Sequence, residues 1–420
     1  MGTVITLDVG GLELCYSKNH VGINHGALFQ EVDRKRTRGR SISDYGARDG
    51  LEDDSAELEW AFRRTLRHVK PRLELLGYTL MRAKFEYENY LSSIVDLDEG
   101  EASPMSFEEL LAFIKSRPLE TFEDIYDGGV DFEWMKGNLL HDPRLERIST
   151  IEGYDNNFYS ELSYFRTLID FLHPYLFMRM LCENSDNLRC EVVWEYGPLV
   201  DAGWASESDF NAGVERADKI LVVTEGTSDA LIISQALSIL RPDVADFFKF
   251  IDAAGHPFSG TGGLTKFAEG LVNIDVQNQI VFVFDNDAEG VEAYGKVGRL
   301  KLPSNMRRMC LPDLVDFEDF PVFGPEGEGM ANINGKAAAI ECYLDLELPG
   351  YNPARVAWTN YKQSLKLYHG SLDFKESYTR DFMSLTAEEI KSRNYDFHKV
   401  GAVLDALQKE CVLMAQGPVL

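Results

Sequence analysis

From Lys219 onward, short runs of β-branched and aromatic residues alternate with amphipathic stretches, and this constrains the fold more than any other feature of the chain. Strands are expected at Lys219–Thr224, Phe247–Asp252, Gln279–Phe284 and Met306–Leu311, with helices at Ser228–Leu240, Gly263–Val272 and Glu289–Leu300 between them. Strands joined through helices pair in parallel, because a tight turn can only reverse the chain. The expectation is a four-stranded parallel α/β unit. In such a sheet every strand's carboxyl end lies on one edge, which is where ligands bind.

Two acidic segments fall on that edge. The first strand runs into Glu225-Gly226-Thr227-Ser228-Asp229, and the third into Asp285-Asn286-Asp287-Ala288-Glu289-Gly290. Asp285 and Asp287 are two apart, so in extended chain they face the same side, about 7 Å between Cα atoms, while Asn286 faces away. Two carboxylates so placed can grip one hard cation such as Mg²⁺, which keeps waters and leaves room for a phosphate. Glu225 can complete the site or take a proton from an attacking water. Gly226 and Gly290 are expected to permit close backbone approach. Asp229 and Glu289 sit where first-turn acids favour a helix dipole, so each reads equally as a metal ligand or as a helix-starting residue.

The E-G-x-x-D and D-x-D-x-E-G motifs, each following a buried strand, resemble the Toprim domain shared by topoisomerases, primases and several nucleases. The resemblance spans about residues 216–312 and implies a Rossmann-like fold, Glu225 as catalytic glutamate, Asp285 and Asp287 as metal-binding aspartates, and Mg²⁺ (or Mn²⁺) as cofactor. The flanks lack the zinc-binding cysteine cluster of bacterial primases and the tyrosine-bearing gate domain of topoisomerases. They also lack an ATPase like that of the overcoming-lysogenization-defect nucleases, since Gly329 to Lys336 misspaces a phosphate-binding loop and is followed by Ala337. The opening Gly10-Gly11-Leu12-Glu13 hairpin and the Trp358-Thr359 and Tyr395–His398 segments are similar to bacterial HEPN/Toprim-associated proteins. That similarity covers nearly the whole chain and implies an antiphage-defence setting, in which the Toprim core is expected to act as a metal-dependent nuclease hydrolysing phosphodiester bonds.

The flanks divide the chain into a hairpin-plus-helical region (1–215), the α/β core (216–312) and a mainly helical C-terminal region (313–420). Thr3–Val9 and Leu12–Ser17 flank Gly10-Gly11 as a β-hairpin. Helices are expected at Ala56–Leu76, Phe107–Ile114, Tyr159–Leu181 and from Lys336 to Leu413, with a loop at Gly324–Gly329. Arginine and histidine at HEPN-like spacing recur at Arg63/His68, Arg166/His173 and Arg393/His398. The last pair, with a polar residue after the arginine, is the alternative ribonuclease motif. Such an enzyme would use the RNA 2′-hydroxyl and no metal, and a non-catalytic nucleic-acid-binding subunit is the third reading.

Net charge is −27 with a pI near 4.7. Attraction to a nucleic-acid backbone, DNA or RNA, must then be local or metal-assisted. The densest basic tract is Arg34, Lys35, Arg36, Arg38 and Arg40, which reads as a nucleic-acid contact or a solvated loop. The loop Asp252–Pro257, leading to Gly260-Thr261-Gly262-Gly263, reads as a phosphate cradle or a connector. Six scattered cysteines without a C-x-x-C pair fit a reducing cytoplasm. No apolar run reaches the roughly 18 residues of a membrane span. With no ATPase in the chain, control by a separate regulatory or sensor protein is expected.

Overall fold

The computed structural model describes residues 3–38, 58–94, 103–123, 136–148, 158, 160–251, 260–325, 327–363 and 367–417. The chain divides into two compact units, Met1–Val214 and Glu215–Leu420.

In the first unit Gly10 and Gly11 take φ of +55° and +89°, the left-handed pair that a two-residue hairpin turn requires. They join β1 (Val4–Val9) to β2 (Leu12–Lys18). The hairpin is not isolated. With β3 (Arg34–Arg38), β4 (Leu58–Thr65) and β5 (Glu191–Glu195) it forms a five-stranded antiparallel sheet in the order β2-β1-β5-β4-β3.

The expected helix over Ala56–Leu76 is therefore a strand in its described first part and a helix, Leu66–Leu75, only after Thr65. Leu58, Phe62 and Leu66 are spaced by four, which is one helical turn but also an even number of strand residues. The spacing fits both periods, and pairing with two neighbouring strands decides for β. The expected single helix at Tyr159–Leu181 is likewise two, Glu161–Thr167 and Pro174–Leu181. Pro174 lacks an N–H and holds the preceding residue out of helical geometry, so His173 caps the second helix. Phe107–Lys115 is helical as expected, closed by a reciprocal Ser106/Glu109 cap.

The sheet's core is aromatic. Phe29, Phe62 and Trp194 form a mutually stacked triangle, with ring centroids 5.7 Å apart for Phe29–Phe62 and Phe62–Trp194 and 6.5 Å for Phe29–Trp194, and Tyr196 stacks on Phe210 at 4.4 Å. All five rings are buried, and each contributes on the order of 2–3 kcal/mol by leaving water.

The second unit holds the parallel sheet. Its strands are β6 (Ile220–Thr224), β7 (Phe248–Phe250) and β8 (Ile280–Phe284), followed by the short β9 (Asn286–Asp287) and then β10 (Met306–Cys310). The order is β10-β8-β6-β7, every neighbour parallel. All five residues of central β8 are buried, as expected for a strand covered on both faces. The crossover helices are Thr227–Leu240, Gly260–Asn273 and Ala288–Val297. Gly260–Gly263 is thus the first helical turn and not a loop, while the Asp252–Pro257 loop lies outside the described residues.

The C-terminal region is not mainly helical over its first half. A second sheet, built from β11 (Phe320–Gly324), β12 (Gly327–Ala331), β14 (Val356–Lys362) and β15 (Leu367–Leu372), runs in the order β12-β11-β14-β15. The short β13 (Ala337–Ala338) pairs with β9. Val356–Lys362 carries Val, Trp, Thr and Tyr, which favour extended backbone. In the segment expected as a loop at Gly324–Gly329, Gly324, Gly327, Glu328 and Gly329 are strand residues of the antiparallel β11–β12 pair. Helices Lys375–Met383, Ala387–Arg393 and His398–Ala415 complete the unit. Among the described residues no helix is long and apolar enough to cross a membrane.

Candidate functional site

β6 and β8 are adjacent and parallel, so the chain leaves both at the same edge of the sheet. Immediately beyond them the Asp285 N–H donates to Glu225 Oε1 at 3.1 Å, joining the two acidic motifs directly. Asp285 Oδ1 accepts from the Ile340 N–H at 3.1 Å, and Asp287 Oδ1 accepts from the N–H groups of Glu289 and Gly290 at 2.9 and 2.7 Å. Each carboxylate is thus pinned through one oxygen. The second oxygens of Glu225 and Asp285 accept no hydrogen bond among the described residues.

Asn286 turns the other way, as its position between the aspartates requires. It is buried, donates to Asp313 Oδ1 at 2.8 Å and accepts from the Gly335 N–H at 2.8 Å. That bond and the β9–β13 pairing hold the chain after Asn334 against the acidic motif. Gly290 is sterically required, since a Cβ there would meet the Asp285 carbonyl oxygen at 2.2 Å. Gly226 is not: a Cβ would reach no closer than 3.4 Å to Asp229, and its φ is −130°.

The charges are held under tension. Burial, then the neighbouring charge of Asp287, pushes the Glu225 carboxyl up to about 8. Burial and the charges of Asp229, Glu225, Asp287 and Glu341 push Asp285 well above the usual carboxylate range. Asp229 is raised to about 6 by burial and by Glu341, against hydrogen bonds from Gly226 and Ser228. It caps its own helix by accepting the Gly226 N–H at 2.8 Å. Glu289 stands in the first turn of the helix that Asp287 caps.

Oxygen donors of this kind suit a hard divalent cation, and mutual repulsion among them is what such an ion relieves. No three His, Cys, Asp or Glu side chains among the described residues stand in a ready-made cage. A cation here would therefore keep several waters, as Mg²⁺ does.

Two site residues escaped the reading of the sequence. Glu341, buried at 5% exposure, follows Ile340 and adds a charge felt by Asp229 and Asp285. His369 on β15 brings Nδ1 to 3.8 Å from Asp287 Oδ2. Both come from the region expected to be helical, and no spacing in the sequence points from either to Asp287 or Asp285.

The other candidates are dispersed. Arg393 forks onto Asp381 at 2.9 and 3.0 Å, whereas exposed His398 has Nδ1 3.6 Å from Asp316. In the first unit Arg63, on a strand and not the expected helix, pairs with Glu191 at 3.2 Å, and His68 Nδ1 lies 2.9 Å from Thr65 Oγ1. Arg166 pairs with Asp170 at 3.2 Å, and His173 accepts the Tyr175 N–H at 3.1 Å.

The basic tract is a strand. Arg34 donates to Glu31, to the Tyr196 hydroxyl at 2.6 Å and to the Phe210 carbonyl at 2.8 Å, and lies over the Phe62 ring. Lys35 and Arg36 are exposed, Arg36 against Trp60. Arg40 lies outside the described residues.

Among curated proteins and among solved structures, nothing matches the chain. The HEPN/Toprim N-terminal domain 1 family matches residues 1–218, which span the antiparallel unit and end just before β6. With more than half of its length matched, the chain belongs to the HEPN/Toprim N-terminal domain 1 family.

Proposed function

We propose that the protein hydrolyses phosphodiester bonds with Mg²⁺ or Mn²⁺ at the edge of the parallel sheet, using Glu225, Asp285 and Asp287, and that it serves bacterial antiphage defence. The observation that carries this reading is the Asp285 N–H bond to Glu225 Oε1, which ties two acidic motifs together where the raised Glu225 and Asp285 carboxyls need compensation. The family's nuclease association supports the same class of reaction.

The second oxygens of Asp285 and Asp287 are the natural holders of the cation, with Asp229 and Glu289 at its margin. When bound, that ion supplies charge neutralisation for the phosphate and a more acidic water. Glu225 is oriented by the Asp285 N–H, so its other oxygen is left to take a proton from the attacking water. A carboxyl whose affinity for protons lies near neutrality is matched to that task. Gly290 keeps the Asp285 backbone close to the helix that Asp287 caps.

The metal-independent alternative has less support. Arg393 is forked onto Asp381 while exposed His398 stands 3.6 Å from Asp316, and RNA cleavage through the 2′-hydroxyl requires both at one phosphate. Purified protein incubated with labelled DNA and total tRNA, with and without Mg²⁺ or Mn²⁺, tests the choice. Cleavage should disappear with EDTA and in Glu225→Gln and Asp285→Asn, and persist in His398→Ala. Cleavage that survives EDTA, is lost in His398→Ala and leaves a cyclic phosphate would overturn it.

A further inference from the structure

We propose that His369 is a nitrogen ligand of the cation held by Asp287, so that the centre is a mixed nitrogen and oxygen site selecting a divalent transition ion such as Mn²⁺ over Mg²⁺. This rests on the metal-dependent reading above and adds to it a ligand from outside the parallel sheet.

Three observations meet at this side chain. His369 Nδ1 lies 3.8 Å from Asp287 Oδ2, too far for a hydrogen bond. Two ligands on one ion, each bonded at about 2.1 Å, can stand up to about 4.2 Å apart, so the gap suits a shared cation. Nδ1 is also buried and has no hydrogen-bond partner among the described residues, an unfavourable state for a ring nitrogen unless something else engages it.

The position is held from behind. His369 pairs with Asn360 across the β14–β15 ladder, and its carbonyl accepts the Thr359 hydroxyl at 3.2 Å. Asp287 is held through its other oxygen by two backbone N–H groups, leaving Oδ2 on the side of the imidazole. Both partners are thus oriented before any ion arrives. Imidazole favours transition ions, whereas an all-carboxylate site favours Mg²⁺ or Ca²⁺.

The test uses the full chain loaded with Mn²⁺ and pulsed electron paramagnetic resonance. Bound Mn²⁺ should show nitrogen modulation that changes when histidines are labelled with ¹⁵N, a measurement that needs no variant. His369→Gln should lose that signal and bind Mn²⁺ about tenfold or more weakly, with Mg²⁺ binding altered much less. Mn²⁺ that binds and is lost in Asp287→Asn, yet shows no histidine coupling, or keeps its coupling in His369→Gln, overturns the His369 ligand while leaving the carboxylate site standing. Wild-type protein that retains no Mn²⁺ overturns both.

Discussion

Replacing Glu225 with glutamine in metal-free protein should stabilise the second unit, and by an amount that depends on pH in a defined direction. The folded chain holds the Glu225 carboxyl at about 8 against an ordinary value near 4.5, so folding favours its protonated form. A group raised in this way contributes stability that is fully present below about pH 4.5 and is lost as pH climbs through the folded value. At about 1.4 kcal/mol per unit, the loss by pH 8 is at most about 5 kcal/mol, an upper limit because Asp285 shares the same repulsion. Glutamine keeps a carbonyl oxygen to accept the Asp285 N–H and carries no charge.

In EDTA the variant and the wild type should therefore match near pH 4.5 and diverge by about 3–5 kcal/mol by pH 8, the variant being the more stable. Urea unfolding read by pulsed hydrogen exchange on peptides from β6 and β8 isolates the second unit from the first. Divalent ion at about a hundred times its dissociation constant should restore roughly 2.7 kcal/mol to the wild type, and much less to the variant. Parallel pH profiles for the two proteins would refute the reasoning, because the Glu225 environment would then not be the source of the strain.

The other predictions concern positions where the structure separates neighbours that look alike in the sequence. Arg34→Gln should lower stability by about 2–4 kcal/mol in thermal melts, because its guanidinium is tied to Glu31, Tyr196 and Phe210. Lys35→Gln with Arg36→Gln should leave the melting temperature nearly unchanged, and if this strand meets nucleic acid it should reduce the salt slope of binding by roughly one to two. Gly290→Ala should cost about 3 kcal/mol or more and abolish cleavage, since its Cβ would collide with the Asp285 carbonyl, while Gly226→Ala should be tolerated in both assays.

What the sequence determined by itself is the part set by local periodicity. Short apolar runs rich in β-branched and aromatic residues, such as Ile280–Phe284, favour central strands, and helices between them favour parallel pairing, so Glu225, Asp285 and Asp287 were legible at strand ends from the sequence alone. The Gly10-Gly11 turn was legible for the same reason, two glycines meeting a backbone need within two positions.

Tertiary structure alone decided the rest. Leu58, Phe62 and Leu66 satisfy helix and strand periods equally, and only pairing with β3 and β5 made Leu58–Thr65 extended. Arg34 looks like any other member of a basic run until Tyr196 and Phe210, over 160 residues away, close around it. Glu341 reaches the acidic site because Asn286 anchors Gly335 and β13 pairs with β9, and His369 because β15 packs against β13 and the helix Ala288–Val297. Contacts of that range depend on how a whole unit packs, and no local pattern of residues encodes them.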